Sequence, residues 1–215
     1  MSSPTLETRA YQELRRRIIA AEYLPGTLLS ENDLAEQLEM SRTPIRAAIS
    51  LLVTEGFVES YRGRGVLVKE ITFREYAEML EMLISMQLYA INTAERRGLA
   101  FDLPELNKHL ERQIQAKENH DIPAYYESFL QFGETIIRTL HNQHMLGVLE
   151  QIRGKFLFKM ISYRKQYPQY KPHKSLESNC KAYEALVKGD LDAAKAAVLE
   201  IYTVTYETLI MNGII

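Results

Sequence analysis

The chain lacks the marks of several protein classes. It has one cysteine, Cys180, in 215 residues, so no internal disulfide can form. Such usage fits a reducing compartment. The plain reading of Cys180 is a helical, near-core residue rather than a reactive thiol. No apolar run approaches the ~18–20 residues that a membrane span needs. The opening stretch, MSSPTLETRAYQELRRR, has no apolar segment of the kind a secretory signal requires. The expectation is therefore a cytoplasmic protein with no membrane partner. Glycine and proline are sparse, at 10 and 7 residues, which excludes collagen-like and low-complexity chains. Neither charge dominates: 26 Lys and Arg stand against 28 Asp and Glu, for a net charge of −2.

What is present is ordinary globular material, 46% apolar and 25% charged, and long enough for a core that needs no staples. A net charge of −2 argues by itself against a nucleic-acid binder, but the distribution says more. Residues 1–70 carry nine basic and ten acidic side chains, and residues 71–215 carry seventeen and eighteen. Within residues 40–69, however, Arg42, Arg46, Arg62, Arg64 and Lys69 face only Glu55 and Glu59. A fold that gathers those arginines makes a local positive patch on a mildly acidic protein.

Local signals divide the chain near residue 70. Residues 6–21 read as a helix with Leu14, Ile18 and Ile19 on one face, closed by Leu24-Pro25-Gly26. Ser30 is placed to cap a second helix, with Leu29 and Leu34 as its hydrophobic staple. Ser41 or Thr43 caps a third, which holds Pro44 in its first turn and stops at Gly56. Two short strands then flank Arg62-Gly63-Arg64-Gly65, which suits a tight hairpin tip. Helix, helix, turn, helix, hairpin is the order of a winged helix-turn-helix.

From Thr72 onward the pattern is helical. Thr72 and Glu75 form a capping box, and Asp102 with Pro104 and Asp121 with Pro123 open the next two helices. Breaks near residues 141–142, 167–175 and 188–190 delimit three more. No fixed period recurs, so a repeat solenoid is excluded, and six such helices predict an antiparallel bundle. The predicted fold is mainly α: a winged helix-turn-helix over residues 1–70 and an all-α antiparallel six-helix bundle over residues 71–215.

Five segments occur in order: Leu24-Pro25-Gly26-Thr27, Leu29-Ser30-Glu31-Asn32-Asp33-Leu34-Ala35, Met40-Ser41-Arg42-Thr43-Pro44-Ile45-Arg46-Ala47-Ala48, LLVTEGFV over residues 51–58, and Arg62-Gly63-Arg64-Gly65-Val66. In content and spacing they resemble the winged-helix domain of the GntR family of bacterial transcription regulators. The six-helix partner is similar to the C-terminal domain of the FadR-type members, which binds an effector and dimerises. The resemblance implies a homodimeric, sequence-specific DNA-binding repressor of transcription, acting on a short inverted repeat in double-stranded DNA. A small molecule in residues 71–215 would modulate operator affinity. The alternative is a DNA-binding dimer whose helical domain is purely structural.

The residues themselves support DNA contact. Arg42, Thr43 and Arg46 fall within one turn at the start of the third helix, opposite the face of Ile45, Ile49 and Leu52 that must pack inward. An arginine fork bridges guanine O6 and N7 in the major groove, and the Ser41 and Thr43 hydroxyls suit phosphates. The resemblance adds Asn32, at a DNA-contacting position where many relatives carry Arg, and Arg62, Gly63 and Arg64 as the tip that enters the minor groove. Arg15, Arg16 and Arg17 point in several directions, so solvated helix surface is favoured there over phosphate contact.

Many FadR-type domains hold a divalent metal with one Asp and three His, of which the first pair reads Asp-x-x-Phe-His. The matching segment here is Phe129-Leu130-Gln131-Phe132-Gly133. The second histidine aligns with Asn179 and the third falls near Ile201 or Tyr202. His141 and His144 have a ligand spacing, yet they sit at a helix break with no third partner and read as loop histidines. The expectation is no metal and no cofactor. An Arg and an acid common in the first bundle helix align with Met82 and Met86. With Phe129, Gly133 and Ile201 these imply a soft cavity for an apolar or aromatic effector, with Asn179 and Tyr202 as polar handles. The other reading is that Met82, Met86 and Phe129 fill a bundle core. An enzyme would need a metal or a nucleophile–base pair, and Cys180 has no evident histidine partner, so no enzyme is expected.

Overall fold

The computed structural model describes residues 4–61, 63–169 and 174–211. Among them run nine helices and three strands. Contacts group the chain into two units: Met1–Ile71 with Phe158–Gln166, and Thr72–Leu157 with Tyr167–Ile215.

In the first unit, α1 (Leu6–Ile19) opens at Thr5, whose hydroxyl accepts the Thr8 amide at 3.2 Å. Its buried stripe is Ala10, Leu14 and Ile18, four residues apart, with Ile19 at the margin. After β1 (Leu28–Leu29), Ser30 caps α2 (Glu31–Gln37) by accepting from Asn32 N at 3.2 Å. Ser41 holds the N-cap position of α3 (Arg42–Glu55) with no side-chain capping bond, and Gly56 ends the helix at φ +81°. Pro44, Ile45, Ala48, Ile49 and Leu52 are buried on α3, which packs against α1. The wing is β2 (Val58–Tyr61) and β3 (Gly65–Val68), paired antiparallel from Val58↔Val68 to Tyr61↔Gly65. One strand goes beyond the predicted hairpin: β1 pairs with the outer side of β3, Leu28↔Leu67 and Leu29↔Val66, giving the order β1-β3-β2.

The C-terminal turns of the helix Gln143–Gln166 complete this unit. Phe158 is fully buried and meets Phe57 edge-on, with centroids 6.2 Å apart. Phe57 also lies under the Arg15 guanidinium, 5.6 Å from its centroid. The Lys165 ammonium donates to the Ala20 and Ala21 carbonyls at 2.9 and 3.1 Å. That contact satisfies carbonyls that the end of α1 leaves open, with a cation where the helix favours one.

The second unit holds α4 (Phe73–Arg97), α5 (Leu103–Glu118), α6 (Ile122–Arg138), the first part of α7 (Gln143–Gln166), α8 (Lys174–Lys188) and α9 (Leu191–Met211). The caps at Thr72, Asp102 and Asp121 are those the sequence predicts, and Asp190 closes the break expected at 188–190. Thr72 and Glu75 form a reciprocal capping box, and Asp102, Asp121 and Asp190 accept from the amides of Glu105, Ala124 and Ala193, each at 3.0 Å. Residues 170–173, within the break expected at 167–175, lie outside the described residues. α4 packs on α6 and α9, α5 on α6 and α8, and α8 on α9. Leu80, Leu83, Ala90, Ile91, Phe132, Ile136, Ala194 and Val198 fill the interior.

Candidate nucleic-acid interface and effector pocket

The start of α3 and the wing tip border a cleft of about 560 Å³. Asn32, Arg42, Arg46, Gly63 and Arg64 line it, five of the residues read from the sequence as DNA contacts. Ser41 and Thr43 are exposed at the same end of α3, and Arg62 lies outside the described residues. Pro44 and Ile45 turn inward, which leaves Arg42 and Arg46, one turn apart, on the solvent face. The wing tip is shaped by glycine. Arg64 N–H donates to the Tyr61 carbonyl at 2.9 Å across Gly63, whose φ is +74°. Gly65 has φ +114°, and a Cβ there would lie 2.6 Å from the Leu29 carbonyl oxygen. Only glycine lets β3 start this close beneath β1.

Charge in the cleft is organised by Glu31, a residue the sequence reading passed over. Its Oε2 accepts from Arg46 Nε at 2.7 Å and from Arg42 Nη2 at 3.1 Å. Those hydrogen bonds, the Arg46 one first, hold the Glu31 carboxyl below its ordinary range. No local spacing links position 31 to 42 and 46, so only the folded chain reveals the contact. Arg15, Arg16 and Arg17 are spent within the protein: Arg15 on Glu55 at 3.0 Å, Arg16 on Glu13 and Glu22 at 2.9 Å, and Arg17 on Glu13 at 2.7 Å.

In the second unit the effector positions fall on α4, α6, α8 and α9. Met82 and Met86 are half-buried at the margin of the buried stripe of α4, and that stripe carries the buried polar side chains Gln87 and Thr93. Phe129 is buried and stacks on Phe156, with centroids 5.8 Å apart. Gly133 is buried, and a Cβ there would lie 2.8 Å from Gln87 Nε2. The Gln87 carboxamide thus takes the room a larger side chain would need. Buried Asn179 donates through Nδ2 to Gln113 Oε1 at 2.9 Å, and the Gln113 Nε2 has no partner among the described residues. Ile201 is buried and Tyr202 half-buried. Gln87 and Gln113 were not singled out from the sequence. Their signal is a polar residue interrupting an apolar stripe, as Gln113 does after Leu106 and Leu110.

A ring, a glycine and an amide already bonded do not fit a divalent ion. Among the described residues no three His, Cys, Asp or Glu stand together as a metal site. His141, at φ +53°, and His144 are both exposed at the α6–α7 connection. A separate basin of about 820 Å³ is lined by Glu105, His109, Glu127, Glu134, Arg138 and Arg153, and Arg153 there is engaged by Glu127 and Glu134. Burial pushes the His109 imidazole down and the Cys180 thiol up, so both favour their neutral forms. No described helix is long and apolar enough to cross a membrane.

Comparison with known proteins agrees with this geometry. The family described as "Bacterial regulatory proteins, gntR family" matches residues 6–68, and the FCD domain matches residues 78–203. The gluconate operon transcriptional repressor of Bacillus licheniformis is 28% identical over 153 residues, 71% of this chain and 63% of that protein's length. The HTH-type transcriptional regulator YdhC of Bacillus subtilis (strain 168) is 25% identical over 191 residues, 88% of this chain and 84% of its own. Among solved structures, a GntR transcriptional regulator from Rhodococcus sp. RHA1 superposes with a TM-score of 0.78 at 21% identity, over 96% of this chain and 97% of that one. The relatives are transcriptional regulators, not enzymes. The chain belongs to the GntR family of bacterial regulatory proteins, with an FCD domain as its helical half.

Proposed function

We propose that the protein is a cytoplasmic, homodimeric repressor of transcription that reads a short inverted repeat in double-stranded DNA and is modulated by a small molecule bound in its FCD domain. The observation that carries the reading is the single cleft lined by Asn32, Arg42, Arg46, Gly63 and Arg64. Arg42 and Arg46 supply forks for guanine edges, Ser41 and Thr43 supply phosphate contacts, and Arg64 extends from the wing toward the minor groove. Two symmetry-related heads on an inverted repeat add affinity and register. Exposed Tyr89, Val187 and Leu199 on the bundle support a second copy of the chain as cover. The likeness to a transcriptional repressor supports repression.

The effector we propose is apolar or aromatic. The buried polar groups on the effector helices are uncharged, the carboxamides of Gln87 and Asn179 and the hydroxyls of Thr93, Ser128, Thr135 and Ser178; these suit the polar end of such a guest, with Asn179 and Tyr202 as handles. Its apolar area gains roughly 25 cal/mol per Å² removed from water. A second reading, a purely structural bundle, is favoured by the Phe129–Phe156 stack and by Gln87 lying over Gly133. One set of measurements on the full chain tests these readings. Selection from randomised duplexes should return an inverted repeat, and light scattering should give twice 24.9 kDa. A thermal-shift screen should find lipophilic stabilisers. No enrichment, a monomer, stabilisation by hydrophilic carboxylates alone, or stoichiometric zinc or nickel would each remove the corresponding part.

A further inference from the structure

We infer that Glu31 is a specificity residue of the DNA-reading head: it orients Arg42 and Arg46 for base contact and offsets part of their attraction for phosphate at large. The inference rests on the proposal that Arg42 and Arg46 read DNA. One carboxylate oxygen holds both guanidinium groups, which come from successive turns of α3. Left alone, two arginines with side chains 53% and 60% exposed would sample many rotamers, and binding one base edge would cost that freedom. Glu31 removes part of the cost beforehand.

Glu31 is itself well held. It is the first residue of α2, directly after the Ser30 cap, where the open amides favour a negative charge. Its side chain is 27% exposed, half the value of either arginine it binds. The mode of attachment also matters. Arg46 is engaged through Nε, which leaves the edge made by its two Nη atoms for the paired acceptors of guanine. Arg42 is engaged through Nη2, whose second hydrogen, with those of Nη1, remains for a base edge; Arg46, taken at Nε, keeps its whole outer edge.

The charge effect separates the two kinds of binding. With Glu31 in place the cluster of three side chains carries +1 rather than +2. Non-specific binding is almost wholly phosphate neutralisation with counterion release, so it feels the missing charge in full. Binding to the proper site also gains from base edges, and there the preset geometry compensates. Glu31 therefore lowers affinity for random sequence more than for the operator. No such partner for the wing residue Arg64 is found among the described residues, so the device serves α3 rather than the whole patch.

The test uses the full chain, a selected inverted-repeat duplex and a scrambled duplex of equal composition, titrated across a salt series. In Glu31→Gln the scrambled duplex should bind several-fold tighter, with a salt slope steeper by about one. The ratio of selected to scrambled affinity should fall roughly tenfold, the scale of one oriented base contact. Glu36→Gln removes the same charge from an exposed position on the same helix and should leave the ratio within about twofold of the parent chain. A Glu31→Gln ratio within twofold of wild type, or an equal fall in Glu36→Gln, overturns the inference. The Arg42→Ala, Arg46→Ala double variant separates the two layers. If it binds the selected repeat as wild type does, the reading of the head is wrong and the role of Glu31 goes with it. If it loses the repeat while Glu31→Gln keeps its ratio, only the role of Glu31 is lost.

Discussion

Phe156 and Phe158 stand two residues apart on α7 and belong to different cores. Phe158 is fully buried against Phe57, which is itself 1% exposed. Phe156 is fully buried between Tyr76, at 5.0 Å, and Phe129, at 5.8 Å. Replacing Phe158 by Ala deletes a ring that the surrounding core cannot refill, at a cost of ~3–5 kcal/mol. Of this the aromatic pair contributes about 0.5–1.5 kcal/mol beyond its burial. At about 1.4 kcal/mol per factor of ten, protection of the affected amides falls roughly 140- to 3700-fold. A domain stable by about 5–15 kcal/mol remains folded through most of that range. Hydrogen exchange on the intact chain, read by peptide mass, is the assay. Phe158→Ala should deprotect α1, α3 and β2, although it lies about a hundred residues or more further along the chain, and leave α4 and α6 nearly unchanged. Phe156→Ala should do the reverse. Unchanged protection of α1 and α3 in Phe158→Ala, or the same segments deprotected by both variants, would refute the assignment of residues 158–166 to the first unit.

Two further outcomes follow from local geometry. Gly65→Ala places a Cβ 2.6 Å from the Leu29 backbone oxygen at φ +114°, so β1 and β3 must part; we expect a loss of about 1–3 kcal/mol in denaturant unfolding and weaker binding to the selected repeat. Glu13 has its carboxyl pKa drawn from 4.5 down to about 2 by hydrogen bonds from Arg16 and Arg17, so its contribution is complete above pH ~4.5 and disappears as the pH falls through about 2; Glu13→Gln should flatten the acid limb of a stability–pH curve in that window and leave the curve near pH 7 with the same slope.

Features coded by neighbours were legible in the sequence. The caps at Ser30, Thr72, Asp102, Asp121 and Asp190 depend on residues two or three positions away, and that spacing is visible in the chain. The Gly56 stop and the wing glycines were legible for the same reason. Ser41 reached its expected N-cap position but makes no capping bond. β1 was not legible, because Leu28 and Leu29 become a strand only by pairing with Leu67 and Val66. The role of Glu31 was not legible, since its arginines lie 11 and 15 residues away. In the bundle, alignment by position drew attention to Met82 and Met86 at the margin of α4. The neighbouring Gln87 on the inner stripe went unnoticed, although a polar residue among Leu83, Ile84, Ala90 and Ile91 was there to be seen. Nothing in the periodicity of α7 distinguishes Phe158 from Phe156.

The central claim is that α3 reads base edges through Arg42 and Arg46, and the acceptor it requires on DNA is guanine N7. Replacing the half-site guanines of the selected repeat by 7-deazaguanine removes that acceptor and leaves pairing and phosphates in place. Titrated at one fixed salt concentration, wild-type binding should fall roughly tenfold per half-site, within the range of one lost bidentate contact. The Arg42→Ala, Arg46→Ala variant should bind natural and substituted duplexes equally. A wild-type protein indifferent to the substitution, or a double variant that loses as much as wild type, would contradict the account.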